Sequence, residues 1–406
     1  AAAEYGGSAA DIATSAARDA TAAIRRAVQG PHSSTGCAPL TQIPQRPGPG
    51  ALLGACPLGA REAALEARRA LITGITGQDG YFMALLLLSK GYEVHGMARR
   101  RSDGSLGTLE EMPADKRDAI HLHFCDVTDA ACVERVVREV RPDELYHFAA
   151  QSFVPYSFEN PRYTYDVNIS GTLNVVNAVR DYSRHTRLYN AATSEMYGLP
   201  DRVPQNEETP FRPRSPYAVS KLAAFWTVKT YREAYGLFMS NGIAFNHESE
   251  VRGPEFVTRK ISIGVARYVC LGEHPILLGN LDARKDWGYA GDFVEAMWLM
   301  LQHDRPDDFV IGTGEQHTVR EFATEAFAAA GVKVRWEGSG LSEVAVDEET
   351  GRVVVRVDPS LFRPLESENY MADYSKIRRT LGWRPKTTFR ELARRMVEAD
   401  IRRLRE

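Results

Sequence analysis

The segment Arg69-Ala-Leu-Ile-Thr-Gly-Ile-Thr-Gly-Gln-Asp-Gly80 decides the fold that we expect for this chain. Its first five residues form a short apolar run typical of a buried strand, glycines follow at positions 74, 77 and 80, and an apolar helix-like run covers 84–90. Glycine lets the backbone turn tightly and approach a pyrophosphate, which then meets the positive end of the helix. Ordinary turns also use glycine, but this placement between strand and helix predicts a dinucleotide-binding βα unit.

The same alternation of strand and helix continues to about residue 245. Further strands are predicted near 92–97, 122–124, 144–148, 187–189 and 238–242, with helices over 130–140, over about 163–182 and from Pro216 onward. Repeated βα units predict an α/β fold with a Rossmann-type, doubly wound parallel sheet. After Asn246 the pattern becomes mixed, apart from a return strand near 308–313, and predicts a smaller α+β substrate-binding lobe.

These patterns predict three regions. Residues 1–68 are rich in Ala, Gly, Pro, Ser and Arg, and we expect a largely disordered extension there. Residues 69–245 are expected to form the cofactor-binding domain, and residues 246–406 mostly the substrate-binding lobe. The first methionine is Met83, so the start of the native protein is left open.

The composition argues against several classes of protein. The 50 Lys and Arg residues against 53 Asp and Glu give a net charge of -3, so no basic excess indicates nucleic acid. The chain has no run of 18 apolar residues, so we expect no membrane span and a cytoplasmic enzyme. The five cysteines form no C-x-x-C pair and are expected to be unpaired in a reducing compartment. His121-Leu-His123 fits strand alternation, so no metal is expected.

Tyr217-Ala-Val-Ser-Lys221 carries the main signal for catalysis. Residues four apart share one face of a helix, so Lys221 is expected near Tyr217. A nearby cation favours tyrosinate and should lower the phenol pKa toward that of a useful base. A surface Tyr–Lys pair has the same spacing, but this one opens the helix after the fifth strand, where a base must lie to face a cofactor.

Thr193-Ser-Glu195 follows the fifth predicted strand. Thr193 can hydrogen-bond a sugar oxygen that is being oxidised. Oxidation or reduction of a hydroxyl needs no carboxylate, whereas removal of a carbon-bound proton needs a base. Glu195 therefore predicts an elimination step, with a capping or solvated acid as the alternative.

The run Arg99-Arg100-Arg101 ends the second strand, where an acidic residue would bind the ribose hydroxyls of NAD. Arginine complements a 2′-phosphate instead, so the run predicts NADP, with a solvated charge cluster as the alternative. Asp126, after the third strand, suits a contact to the adenine amino group or a cap on the next turn.

The glycine motif, Thr193-Ser-Glu195 and Tyr217-x-x-x-Lys221 occur in the order typical of extended short-chain dehydrogenases, which the chain resembles from about residue 69 to 402. Within them it resembles the GDP-mannose 4,6-dehydratase family at Pro213-Arg-Ser-Pro-Tyr-Ala-Val219, Phe245-Asn-His-Glu-Ser249, Phe256-Val-Thr-Arg-Lys-Ile261 and Asp286-Trp-Gly288. The resemblance implies catalytic roles for Thr193, Glu195, Tyr217 and Lys221. It implies NADP contacts at Gly74, Thr76, Gly77, Gln78, Asp79, Gly80, Arg99, Arg100, Asp126, Val127, Ser152, Tyr217, Lys221, His247 and Arg252. It implies GDP-sugar contacts at Ser152, Glu195, Asn246, Lys260, Lys285, Arg363 and Glu366.

Several positions depart from the family pattern. Ser249-Glu-Val-Arg-Gly253 stands where the family has Ser-Pro-Arg-Arg-Gly, and Lys285 replaces an arginine, with loss of bidentate phosphate geometry. Residues 102–108 differ from a loop that reaches a neighbouring subunit in the family. We therefore expect a homodimer, with a homotetramer as the alternative.

The resemblance implies a lyase that dehydrates GDP-mannose to GDP-4-keto-6-deoxy-mannose. Tyr217 takes the C4 hydroxyl proton while NADP accepts hydride, Glu195 removes the C5 proton, Glu195 or Thr193 assists loss of water, and hydride returns to C6. The alternatives are the same dehydration on a GDP-manno-heptose or another nucleotide sugar, a nucleotide-sugar 4-epimerase or reductase, and a non-catalytic NADP-binding protein.

Overall fold

The computed structural model describes residues 67–362 and 369–406. Residues 1–66 of the predicted extension lie outside the described residues, as do the predicted substrate contacts Arg363 and Glu366.

The described residues contain fifteen strands and twelve α-helices. The strands are β1 Arg69–Thr73, β2 Glu93–Ala98, β3 Ile120–Phe124, β4 Glu144–His147, β5 Arg187–Thr193, β6 Met239–Ala244, β7 Asn246–Glu248, β8 Ile276–Leu278, β9 Arg284–Lys285, β10 Trp287–Tyr289, β11 Phe309–Ile311, β12 His317–Thr318, β13 Val334–Glu337, β14 Val344–Asp347 and β15 Val353–Val357. The helices are α1 Gln78–Ser89, α2 Ala114–Arg117, α3 Ala130–Val140, α4 Val154–Glu159, α5 Pro161–Tyr165, α6 Gly171–Tyr182, α7 Pro216–Tyr235, α8 Val257–Leu271, α9 Ala290–Gln302, α10 Val319–Ala329, α11 Ser375–Leu381 and α12 Phe389–Arg405.

The central sheet has seven parallel strands in the order β11-β6-β5-β4-β1-β2-β3. Strand order runs outward in both directions from β1 and β4, so a crevice forms at the carboxyl ends of these two strands. The predicted doubly wound α/β fold is confirmed. Strand β11 supplies the return strand, and it lies parallel to β6.

Two predicted elements differ in extent from the observed ones. The fifth strand runs on to Thr193, which brings that residue to the crevice. The helix predicted over about 163–182 is divided into α5, a π-helical turn at Asp166–Ser170 and α6. The π-turn follows from an extra residue in the helical repeat, a local pattern that hydrophobic periodicity does not reveal.

Side-chain caps fix where the helices around the crevice begin. Asp129 accepts a hydrogen bond from the Cys132 amide at the start of α3, as the sequence predicts. Ser215 accepts from the Ala218 amide, and Pro216 occupies the first position of α7. These caps set the direction in which α7 leaves the sheet.

The second lobe combines a four-stranded sheet, β13-β14-β15-β8, with α8, α10 and α12. Its apolar core includes the buried side chains of Trp287, Phe322 and Met396. This architecture matches the mixed α+β lobe expected from the sequence. The division of the chain at residue 245 stays a prediction.

Cys125 and Cys132 form a disulfide, so the prediction of unpaired cysteines is wrong for this pair. Their Cα atoms lie 5.8 Å apart because the Asp129 cap turns the chain from β3 directly into α3. Cys270 is unpaired and half-buried, while Cys37 and Cys56 lie outside the described residues.

Searches of residues 67–362 and 369–406 gave two further results. No helix in these ranges is long and apolar enough to cross a membrane. No group of three or more His, Cys, Asp or Glu side chains in the same ranges is arranged to hold a metal ion.

Arg68, which the sequence analysis assigned to the extension, belongs to the folded unit. Its Nη1 donates to the Tyr92 hydroxyl at 2.8 Å and to Gln302 Oε1 at 2.8 Å, and it lies 3.1 Å from Glu144 Oε1. Glu144 is fully buried and also accepts from Tyr146 at 2.7 Å. Arg68 therefore compensates a carboxylate that lies inside the core.

We predict that Arg68→Met lowers the free energy of unfolding by about 1–3 kcal/mol, because Glu144 loses its cation but stays buried. The matched control is Arg267→Met, since the side chains of the Arg267–Glu273 pair are both 54% exposed. The control should change stability by less than about 0.5 kcal/mol. Denaturant unfolding of both variants checks this, and equal losses would contradict it.

Candidate active site

A cavity of about 760 Å³ opens at the carboxyl ends of the sheet strands, between the sheet and the second lobe. It brings together most of the residues that the sequence singled out. Those that line it are Gly74, Thr76, Gly77, Gln78, Asp79, Gly80, Arg99, Asp126, Val127, Ser152, Thr193, Glu195, Tyr217, Lys221, Asn246, His247, Arg252, Lys260 and Lys285. Arg100 is not among the lining residues, whereas Arg101 is.

The glycine turn has the close packing that a pyrophosphate site requires. Gly74 has φ +71°, and a Cβ there would lie 2.7 Å from the Ala149 amide nitrogen. A Cβ at Gly80 would lie 2.4 Å from the Cα of Ile75. Helix α1 begins after Gly77 without a side-chain cap, so its amino end faces the cavity and suits an anion. These residues fit a dinucleotide cofactor.

Tyr217 and Lys221 lie on successive turns at the start of α7, and both are buried. Burial raises the pKa of Tyr217 above its usual range, and a hydrogen bond to Thr193 opposes this shift only in part. Burial lowers the pKa of Lys221 to about 8. The expectation that Lys221 lowers the phenol pKa is therefore wrong for the unliganded site, because burial outweighs the charge of a neighbour.

The Lys221 ammonium is held by the sheet. Its Nζ donates to the carbonyl oxygen of Ala191 on β5 at 2.9 Å. This bond fixes the side chain beneath the cavity and leaves two further N–H donors for a bound ligand. Lys221 is thus positioned to bind as well as to carry charge.

Thr193 and Glu195 follow directly from the extended β5. The Thr193 hydroxyl accepts from the Glu195 amide at 3.2 Å and caps the short 3₁₀ turn Ser194–Tyr197. This cap places the Glu195 side chain in the same cavity as Tyr217. Glu195 Oε1 lies 3.8 Å from Lys285 Nζ. A carboxylate and a phenol thus face one space, as a combined redox and elimination site needs.

His247 links the second lobe to the amino end of α1. Its Nε2 lies 3.0 Å from Asp79 Oδ1 and its Nδ1 lies 2.7 Å from the Phe245 carbonyl oxygen. Gln78 Nε2 donates to the His247 carbonyl at 3.0 Å, and Ser249 donates to Gln78 Oε1 at 2.7 Å. These bonds hold the lobe against the phosphate turn.

The charges of this link stabilise each other. Burial alone would lower the pKa of His247, but Asp79 outweighs burial and raises it. Burial alone would raise the pKa of Asp79, but His247 outweighs it and lowers it. Both groups are therefore ionised around neutral pH.

The adenine end of the cavity is lined by loops after β2 and β3. Arg99 donates to the Tyr163 hydroxyl at 2.6 Å. Asp126 Oδ1 accepts from the amide and hydroxyl of Thr128, both at 2.9 Å, so this oxygen is used in its own turn. Arg101 is the lining residue that the sequence analysis did not select, although it belongs to the same basic run.

The departures at 250 and 251 lie beside the cavity rather than in its wall. Glu250 Oε1 accepts from the Tyr289 hydroxyl at 3.2 Å, and Val251 is buried. Arg252, the arginine that remains from the family pattern, does line the cavity and stacks on Phe256 with 3.5 Å between its guanidinium carbon and the ring centroid.

The family model for GDP-mannose 4,6 dehydratase matches residues 71–396, which include the whole cavity just described. The chain belongs to the GDP-mannose 4,6-dehydratase family. It is 49% identical to the GDP-mannose 4,6 dehydratase of Homo sapiens over 343 residues, 83% of this chain and 92% of the relative. It is 48% identical to the GDP-mannose 4,6-dehydratase of Sinorhizobium fredii, over 83% of this chain and 97% of the relative.

Solved structures with the same fold include other enzymes of nucleotide sugars. UDP-glucose 4-epimerase from Thermus thermophilus, in complex with NAD, superposes with a TM-score of 0.68 at 29% identity, over 82% of this chain and 98% of that one. DesIV, a dTDP-glucose 4,6-dehydratase from Streptomyces venezuelae with NAD and TYD bound, gives a TM-score of 0.68 at 26% identity, over 82% and 96% of the two chains.

The Asp79–His247 pair predicts a pH-dependent contribution to stability. The part that comes from His247 is fully present below the unfolded-state histidine pKa of about 6.5, and is lost as the pH rises through the raised pKa of His247. The part that comes from Asp79 is lost as the pH falls through its lowered pKa. Asp79→Asn should therefore cost about 1–3 kcal/mol near pH 6 and less near pH 9.

The measurement is the unfolding free energy of the parent and of Asp79→Asn at both pH values. In a His247→Gln background the cost of Asp79→Asn should no longer change with pH. An equal cost at pH 6 and pH 9 in the parent background would contradict the assignment.

Proposed function

We propose that this protein dehydrates GDP-mannose to GDP-4-keto-6-deoxy-mannose, with hydride moved from C4 to C6 of one sugar through bound NADP. The observation that carries this proposal is the placement of the Glu195 carboxylate in one cavity with Thr193, Tyr217 and Lys221. Relatives named GDP-mannose 4,6-dehydratases, similar over more than four fifths of the chain, support the choice of sugar nucleotide.

Each catalytic side chain has one role in this proposal. Thr193 hydrogen-bonds the C4 oxygen, and Tyr217 takes its proton. When bound, NADP supplies the hydride acceptor and then the hydride donor. The ketone at C4 acidifies the C5 proton, which Glu195 removes and then delivers to the departing C6 hydroxyl.

The raised pKa of Tyr217 suits its role. A phenol that resists ionisation in the unliganded site does not hold a buried negative charge while it waits for substrate. Proton transfer from the sugar is then coupled to the loss of hydride, because the forming ketone no longer needs that proton. Lys221, with Nζ fixed on Ala191, binds the cofactor ribose beside it.

We propose that residues 69–245 hold NADP and residues 246–406 hold most of the GDP-sugar. Arg99 and Arg101, with Arg100 from the same run, provide the positive charge for the 2′-phosphate. Lys260, Arg252 and Asn246 line the lobe side of the cavity and suit the diphosphate and its ribose. Arg363 and Glu366 keep the substrate-binding roles that the resemblance implies.

Mannose is favoured over a heptose. The residues that differ from the family pattern, Glu250 and Val251, do not line the cavity, so they leave its sugar end unchanged. A nucleotide-sugar epimerase or reductase has no need of Glu195, and a binding protein has no need of the buried dyad.

We further propose a cytoplasmic homodimer, the location resting on the family resemblance alone. Leu173, Val219 and Trp226 are exposed apolar residues on α6 and α7, and Val219 and Trp226 lie seven residues apart on one helix face. The loop after β2 folds onto its own chain instead of reaching outward. Thr108 donates to the Gly77 carbonyl at 3.1 Å, which favours a dimer over a tetramer.

Cofactor choice is predicted to depend on the arginines that line the cavity. Replacing Arg99 and Arg101 by glutamine should weaken NADP binding about 10–100-fold, since charge-assisted bonds to the phosphate are lost, and should change NAD binding by less than about twofold. Arg100→Gln is the matched control and should have a smaller effect. Calorimetric titration with both cofactors tests this, and equal weakening of NADP and NAD would contradict it.

Glu195 is predicted to be needed only after oxidation at C4. In Glu195→Gln, mixing with GDP-mannose should leave reduced cofactor on the enzyme, seen by its absorbance, while water loss slows about 10²–10⁴-fold. Tyr217→Phe is the comparison, because it should abolish both signals. Full dehydration by Glu195→Gln, or loss of water from dTDP-glucose in preference to GDP-mannose by the parent, would contradict the proposal.

The dimer is predicted to depend on the exposed face of α7. Trp226→Glu should convert the protein to a monomer in sedimentation velocity, because it buries a charge in the proposed contact. Leu271→Glu, which replaces an equally exposed apolar residue on α8, is the control and should leave the dimer intact. A monomeric parent protein, or a dimeric Trp226→Glu, would contradict the proposed contact.

A further inference from the structure

Lys285 reaches the reaction end of the cavity. It lies on the two-residue strand β9, paired antiparallel with β12 in the register Lys285↔His317. Its Nζ lies 3.8 Å from Glu195 Oε1, and the two side chains are only 12% and 11% exposed. Nζ also lies 4.5 Å from the centroid of the Tyr370 ring. This cation therefore bridges the lobe and the carboxylate of the sheet domain.

Strand geometry separates Lys285 from its basic neighbour. Successive side chains on a strand point to opposite faces, and Arg284 is exposed and does not line the cavity. Arg284 therefore does not share the position of Lys285 beside Glu195. The pair offers two adjacent cations, of which one faces the carboxylate.

We propose that Lys285 keeps Glu195 ionised and so makes it available as the base of the elimination step. This inference rests on the proposed function. A cation within 4 Å of a buried carboxylate favours its charged form, and the effect is strong where little water screens the pair. Lys285 is thus a positioning residue that acts through Glu195, in addition to any contact it makes with the sugar nucleotide.

Other charged and titratable groups surround Glu195 less directly. Fields from Arg252, Asp79 and Glu195 itself reach the Tyr217 hydroxyl, and Lys221 is held by Ala191. Arg214 lies in the segment that packs beside Gly198, at the end of the 3₁₀ turn. Among the described residues, the only ion pair within 4 Å that Glu195 makes is the one with Lys285.

The inference separates the two chemical steps. Oxidation at C4 depends on Tyr217 and should proceed without Lys285. Proton removal from C5 depends on an ionised Glu195 and should slow as the pH falls. Loss of the Lys285 charge should therefore shift the acidic limb of the elimination step to higher pH without a matching change in oxidation.

The experiment compares Lys285→Met, Lys285→Arg and Arg284→Gln, each loaded with its cofactor. Carbon NMR of ¹³C-labelled Glu195, assigned by its absence in Glu195→Gln, measures the carboxyl pKa without turnover. Single-turnover mixing with GDP-mannose at several pH values measures bound reduced cofactor and product separately.

We expect the Glu195 pKa and the acidic limb of product formation to rise by about one pH unit or more in Lys285→Met, with accumulation of reduced cofactor. Lys285→Arg should restore both, and Arg284→Gln should change neither. An unchanged Glu195 pKa, or a higher KM with an unchanged pH profile, would overturn the inference and leave Lys285 as a substrate contact only. If the pKa rises but the parent does not dehydrate GDP-mannose, the proposed function fails while the pairing of Lys285 with Glu195 stands.

Discussion

The whole site depends on the bonds between the amino end of α1 and strand β7. Asp79 and Gln78 come directly after the glycine turn, and they bind the side chain and backbone of His247. Because the turn is packed against Ala149 and Ile75 at distances that admit no side chain, this end of α1 cannot shift. The second lobe is thereby held at a fixed distance from the sheet, and the cavity between them has a defined shape.

Burial then decides the charge states inside that cavity. It raises the pKa of Tyr217 and lowers that of Lys221, so both move toward their neutral forms. The ionised pairs, Asp79 with His247 and Glu195 with Lys285, lie where a partner offsets the loss of water. A site of this kind holds its redox groups uncharged and its elimination base charged, and that division matches the order of steps in the proposed reaction.

The sequence predicted the parts of this structure that depend on local pattern. The glycine turn, the βα alternation and the start of α7 at Pro216 follow from spacing and caps, and nineteen of the predicted site residues line one cavity. It could not predict effects that depend on distant contacts. The pairing of Lys285 with Glu195 joins positions 90 residues apart, and the burial of Tyr217 depends on several elements packed around α7. Arg101 was missed because only the path of the chain beyond β2 decides which arginines of the run face the cavity.

The central claim is that one site oxidises, eliminates and reduces the same sugar molecule. The most direct test uses GDP-mannose deuterated at C4, mixed with unlabelled substrate and no added reduced cofactor, with the product examined by NMR and mass spectrometry. The account predicts deuterium in the C6 methyl group of the product, with no crossover between labelled and unlabelled molecules. Deuterium lost to solvent, or methyl groups labelled by transfer between molecules, would contradict it.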